Sequence, residues 1–215
     1  MSSQKSIPSP VSALLYSTYA TEVLAMPSDP EWDPQDPTPE DGIPIPAGVS
    51  GTESSDIQVE VEDLGERRRQ VRGRVLIPVE RQRVWQVLTD YDHLAEFVPN
   101  LVESRFLGSE NGRKLVRQVG SQKVLFARFS AAVVLAIEEI FPHQLRFQEI
   151  EGDFLLFEGF WELAEWLNQQ TLLTYHLQVK PPRRMPVGLV ERRICRDLAF
   201  NLQAIRERCL SLYSQ

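Results

Sequence analysis

The chain has 215 residues, a formal net charge of −7 and 42% hydrophobic residues, which suits one medium domain with a tail or two small domains. Residues 1 to 68 carry 13 Asp and Glu against 3 Lys and Arg, whereas residues 69 to 215 carry 17 against 20. The acidity therefore belongs to the first 68 residues, and the remainder is too mildly basic to require a nucleic-acid partner.

Nine of the 15 prolines precede residue 50, and Pro27 to Pro46 is rich in Pro, Asp, Glu and Ser, with too few apolar side chains to offset the entropy of ordering. Residues 1 to 68 are expected to form a disordered acidic tail, either a partner-binding arm or a plain spacer. Its one apolar stretch, Val11 to Met26, is broken by Ser17, Thr18, Thr21 and Glu22 and is too short and polar to span a bilayer. It also lacks the anatomy of a secretory signal, having a single lysine and early prolines. A short amphipathic segment that docks on the domain or a membrane surface is the remaining reading.

The folded domain is expected over residues 69 to 215. Gln70 to Pro78 reads as a strand, with Val71, Gly73, Val75 and Ile77 on one face. Glu80 to Leu88 reads as a helix whose buried face holds Val84, Val87, Leu88 and Tyr91. Asp92 is the expected N-cap of a second short helix, His93 to Phe97, which buries Leu94, Phe97 and Val98 before Pro99 stops it. Leu101 to Leu107 and Lys114 to Gly120 form a hairpin around Asn111-Gly112.

Val124 to Ile140 reads as one long strand with a bend near Ser130 to Ala132, or else as a helix. Further strands are expected at Gln144 to Ile150, Phe154 to Ala164 and Thr171 to Lys180. Connections of two to five residues make these strands antiparallel neighbours. Val187 to Tyr213 is a long helix with an apolar stripe through Val187, Val190, Ile194, Leu198, Leu202 or Asn201, Ile205, Cys209 and Leu212. Cys195 and Cys209 lie on it about 21 Å apart along the axis, too far to bridge, which fits a reducing cytoplasm.

The order predicts an α+β fold: about seven antiparallel strands curved around the long C-terminal helix, with two short helices after the first strand. A cavity between sheet and helix follows. That order, together with Trp85, Asp90, Tyr91, Leu94, Phe97, Pro99 and Asn100, and with Asn201, Leu202 and Ile205 near the end, resembles the START-like helix-grip superfamily. Within it the chain is similar to the polyketide cyclase/dehydrase and coenzyme Q-binding (Coq10-type) branch, in a form like those of cyanobacteria and plastids. The resemblance covers about residues 69 to 213. It implies a domain that holds one hydrophobic small molecule, such as a quinone, isoprenoid or other lipid, as a carrier or chaperone.

No metal, phosphate-loop or nucleophile motif is present, so no catalytic residue, metal or cofactor is expected. Asp90, Asp92 and His93 could form an acid/base group, but capping and pinning the corner is the simpler reading. Strand alternation points Phe129, Phe157, Trp161 and Tyr175 into the cavity, and the helix adds Leu189, Val190 and Ile194. Trp161 and Tyr175 each bring a polar atom that can orient a ligand. Leu94, Phe97 and Val98 are expected at the cavity mouth. Arg117 and Arg128 stand mid-strand with facing undecided. The alternatives are an aromatase/cyclase using the same pocket through Asp90, Tyr175 or an inward Arg, and an interaction protein acting through its acidic tail. Peripheral membrane contact is compatible with each.

Overall fold

The computed structural model describes residues 57–124, 127–183 and 185–213, with only the backbone described at 122–124, 127–129, 168 and 189. The expected disorder of the tail over residues 1–56 lies outside the described residues.

Eight strands form one antiparallel sheet: β1 (Gln58–Gly65), β2 (Arg68–Ile77), β3 (Leu101–Glu110), β4 (Arg113–Val124), β5 (Ala127–Ile140), β6 (Gln144–Gly152), β7 (Leu156–Trp166) and β8 (Gln170–Lys180). Their order across the sheet is β1-β2-β8-β7-β6-β5-β4-β3. Helix α1 (Arg81–Thr89) and a 3-10 helix (Tyr91–Glu96) follow β2, and helix α2 (Val187–Tyr213) ends the domain. The helix-grip architecture is therefore present with one strand more than the sequence indicated.

The extra strand is β1, which lies ahead of the boundary expected at residue 69. It pairs with β2 in register, Val61 opposite Val71 and Gln58 opposite Arg74. Most of its residues are exposed, because an edge strand owes its place to ladder hydrogen bonds more than to burial. A second correction concerns Val124 to Ile140. Val124 ends β4 and pairs with Ala127 at the start of β5, so the long strand is present from Ala127 to Ile140 and only its expected first residue belongs to the strand before it. The irregularity in β5 falls between Val134 and Leu135, where the pairing with β6 shifts, and not near Ser130 to Ala132.

The core sits between the concave face of the sheet and α2. Val71, Val75 and Ile77 on β2, Leu173, Leu177 and Val179 on β8, and Leu198, Leu202, Ile205 and Cys209 on α2 are all buried. Gly73 lets the helix come close: a Cβ there would meet Leu198 and Leu202 at 2.7 and 2.8 Å. Leu212, at the end of the predicted stripe, is instead 48% exposed. The last turn is held by polar contacts instead, with the Tyr213 hydroxyl donating to Gln86 Oε1 at 3.0 Å and Arg83 lying over the Tyr213 ring.

Candidate functional site: an apolar cavity under helix α2

A cavity of about 310 Å³ lies between sheet and helix. Its largest wall is aromatic. Phe147 on β6, Phe154 ahead of β7, Phe157 and Trp161 on β7 and Tyr175 on β8 all line it. The rings touch in series: Phe154 and Phe157 have centres 5.2 Å apart, Phe157 and Phe147 5.9 Å, Phe147 and Tyr175 5.7 Å and nearly parallel, and Tyr175 and Trp161 4.4 Å. Strand register sets this contact, because Trp161 pairs directly with Tyr175 and Gly159 pairs with both Phe147 and Leu177. Gly159 makes room for the wall, since a Cβ there would strike the Phe147 ring and the His176 carbonyl.

Opposite the rings, Ala131, Val133, Leu135 and Ile137 of β5 line the cavity from alternate positions. Leu94 and Val98 reach it from the helical corner, and Ile194, Leu198 and Ile205 from α2. Of the expected lining residues, Phe157, Trp161, Tyr175 and Ile194 are thus brought together, as are Leu94 and Val98 of the expected mouth. Two are not. Val190 does not line the cavity, which ends one helical turn later at Ile194. Phe97 ends the 3-10 helix with φ −130° and turns under the Arg208 guanidinium, 5.4 Å from its ring centre, so it packs against α2 and not on the cavity. The side chains of Phe129, Arg128 and Leu189 lie outside the described residues.

The polar groups fall into two sets. Tyr175 lines the cavity deep in the wall, and its hydroxyl has no hydrogen-bond partner among the described residues. Burial alone pushes this phenol far above its usual range, so it stays a protonated donor. The second set forms a rim where the corner meets α2. Asn100, in the left-handed region at φ 64°, donates weakly from Nδ2 to Asp197 Oδ1 at 3.5 Å. Arg193 Nε donates to the other Asp197 oxygen at 2.9 Å. In the amide orientation that satisfies both of its ends, Asn201 donates to the Pro99 and Asp197 carbonyls at 3.2 and 3.1 Å. Gln118 completes the polar lining from β4. Sequence reasoning reached Asn201 only through the apolar stripe and the pattern that carries the resemblance, and it passed over Asp197 because a carboxylate among arginines on an amphipathic helix reads as a solvated face.

The acidic corner serves geometry. Asp90 Oδ1 contacts His93 Nδ1 at 2.6 Å, and the hydrogen bond and charge of Asp90 raise the imidazole above its ordinary value. Asp92 does not cap the 3-10 helix, which has no side-chain cap. Its Oδ1 accepts instead from the Phe106 amide at 2.8 Å, tying the corner to β3. Tyr91 lines the cavity with its ring, while its hydroxyl donates to Glu139 Oε1 at 2.8 Å. Arg117 pairs with Glu103 and, next to inward Gln118, belongs to the outer face of β4. His176 stacks on Phe160, ring centres 4.8 Å apart, on the opposite face of the sheet from Tyr175 and Leu177. Among the described residues, no group of three or more His, Cys, Asp or Glu side chains is arranged to hold a metal ion, and no helix is long and apolar enough to cross a membrane.

The model of the family described as polyketide cyclase / dehydrase and lipid transport matches residues 77–206. The chain belongs to this family. Among solved structures, this family member is similar to a STAR-related lipid transfer protein fragment from Xanthomonas axonopodis, at 17% identity over 74% of this chain and 96% of the other, with a TM-score of 0.60. It is similar to a START superfamily protein from Mycobacterium smegmatis, at 18% identity over 66% and 98%, with a TM-score of 0.58. It is also similar to the Zhui aromatase/cyclase from Streptomyces sp. R1128, at 16% identity over 66% and 93%, with a TM-score of 0.56. At these identities the likeness establishes a shared START-like fold. Among curated proteins none matches.

Proposed function

We propose that the domain binds one hydrophobic small molecule noncovalently in the cavity under α2 and acts as its carrier or chaperone. The observation that carries this reading is the Tyr175 hydroxyl, a protonated donor without a partner, set in a continuous aromatic wall. Removing apolar ligand surface from water supplies the driving force, at ~25 cal/mol per Å². The phenol then fixes orientation by donating to an oxygen of the ligand. Flat rings suit the stacked wall, and a carbonyl suits the donor, so a quinone is the favoured class, ahead of other isoprenoids and lipids. A volume of about 310 Å³ is near the lower end of ligand cavities, about 300–1,000 Å³. It accommodates a head group, so a long isoprenoid tail would leave through the rim.

Titration of the full chain with a short-chain quinone, read by quenching of tryptophan fluorescence, tests this reading. Saturable quenching that Trp161→Phe reduces is expected; no saturable binding of any quinone or lipid would overturn it. An aromatase/cyclase remains the second reading, favoured by the likeness to Zhui. It would use Tyr175 or Asp197 for proton transfer, and turnover of a reactive polyketide chain would favour it over a carrier. The two cysteines are free, in keeping with a reducing compartment such as the cytoplasm.

A further inference from the structure

One end of the domain gathers charge and apolar surface beside the cavity. From Lys180 to Arg196 the sequence places Lys180, Arg183, Arg184, Arg192, Arg193 and Arg196 against Glu191 alone, in a chain whose net charge is −7. Part of this charge is used internally. Lys180 approaches Glu66 at 3.7 Å, Arg193 pairs with Asp197, and Glu191 is taken by Arg69 at 2.6 Å. Arg183, Arg192 and Arg196 remain exposed, with no carboxylate partner among the described residues. Arg192 and Arg196 stand one helical turn apart on α2, and the next position in that row is Phe200, itself 55% exposed.

The β6–β7 hairpin adds the apolar part and three acids, of which Asp153 accepts from the Ala132 amide at 2.9 Å and Glu149 from the Phe154 amide at 3.3 Å, so that Glu151 is the carboxylate the tip exposes. Ile150 is 51% and Leu155 65% exposed. The Leu155 amide donates to the Lys180 carbonyl at 2.9 Å, so the hairpin tip is fixed beside the start of the cationic stretch. Both segments also reach the cavity, through Phe154 next to Leu155 and through Ile194 between Arg193 and Arg196.

We propose that this end, made of the β6–β7 hairpin tip and the first turns of α2, docks on an anionic phospholipid bilayer. The arginines meet lipid phosphates and carboxylates while Ile150 and Leu155 enter the interface. A nucleic acid or an acidic protein would match the arginines and leave the exposed aliphatic residues without a role. The docking surface adjoins the cavity, so under the carrier reading it is where a ligand passes between bilayer and protein. The surface itself is tested without any ligand.

The experiment is cosedimentation of the full chain with vesicles of phosphatidylcholine mixed with phosphatidylserine, and with vesicles of phosphatidylcholine alone. Stronger partition to the mixed vesicles, weakening with salt, is expected. Arg183→Glu, Arg192→Glu and Arg196→Glu should each lower that partition about fivefold or more, and Leu155→Asp should lower it at every salt concentration. Arg105→Glu, an equal charge change at an exposed site on β3, should leave it unchanged; circular dichroism shows whether each variant is folded. Equal partition to both vesicle types, no partition, an equal effect of Arg105→Glu, or binding to DNA in place of vesicles would overturn the proposal. A chain that binds a quinone but not vesicles would overturn this surface and leave the cavity reading standing.

Discussion

Trp161 and Tyr175 are partners across β7 and β8, with ring centres 4.4 Å apart, and this contact sets the polar end of an otherwise apolar wall. The Tyr175 hydroxyl has no partner to lose within the described protein. Tyr175→Phe should therefore leave urea stability unchanged or raise it by up to about 1 kcal/mol, because the hydroxyl of a half-buried, cavity-lining side chain is removed without breaking a hydrogen bond. Quinone affinity should fall about fivefold, the worth of one hydrogen bond. A clear loss of stability would show that the hydroxyl is bonded within the fold.

The contact of Gly73 with Leu198 and Leu202 fixes the distance between sheet and helix. Gly73→Ala must push flexible leucine ends aside and should destabilise by about 1–3 kcal/mol, as overpacking does. Gly159→Ala meets the His176 backbone and should cost more. Urea denaturation of both variants checks the order.

Much of this arrangement was legible in the sequence, for identifiable reasons. Period-two alternation marks Phe157, Trp161 and Tyr175 as inward, and the length of α2 was readable from its spacing of three and four. β1 escaped because Val59 and Val61 alternate with acids inside a segment whose composition reads as a tail, and edge pairing leaves little trace in hydrophobicity. The division between β4 and β5 escaped because neither Gly nor Pro occurs between Val124 and Ala127. Pro99, Asn100 and Asn201 stand out in the sequence as parts of the pattern that carries the resemblance. Their meeting in a rim escaped because Asn201 works through its amide contact with Pro99, across more than a hundred residues, and local pattern carries no sign of that.

That rim joins the corner to α2 through Asn201 and Asp197. Asn201→Ala removes two amide hydrogen bonds and should speed ligand release several-fold while leaving the fold intact, each bond being worth about 1 kcal/mol. Stopped-flow displacement of a bound quinone measures this. An unchanged release rate would mean that ligand leaves elsewhere.

His93 and His176 are expected to titrate on opposite sides of the ordinary imidazole value, and proton NMR of the ring C2 protons resolves both. Asp90 raises His93, so its contribution to stability is complete below the unfolded value and is lost as pH rises through the folded value. Burial, and then the charge of Arg72, lower His176. Its contribution is complete above the unfolded value and is lost as pH falls through the folded one. His176→Phe should flatten the second dependence and leave the first.

The most direct test is organic extraction of the purified full chain followed by mass spectrometry. About one quinone or other hydrophobic molecule per chain is expected, with less recovered from Tyr175→Phe. Extracts without such a molecule, from a chain that also fails to take up added quinone or lipid, would contradict the binding role of the cavity.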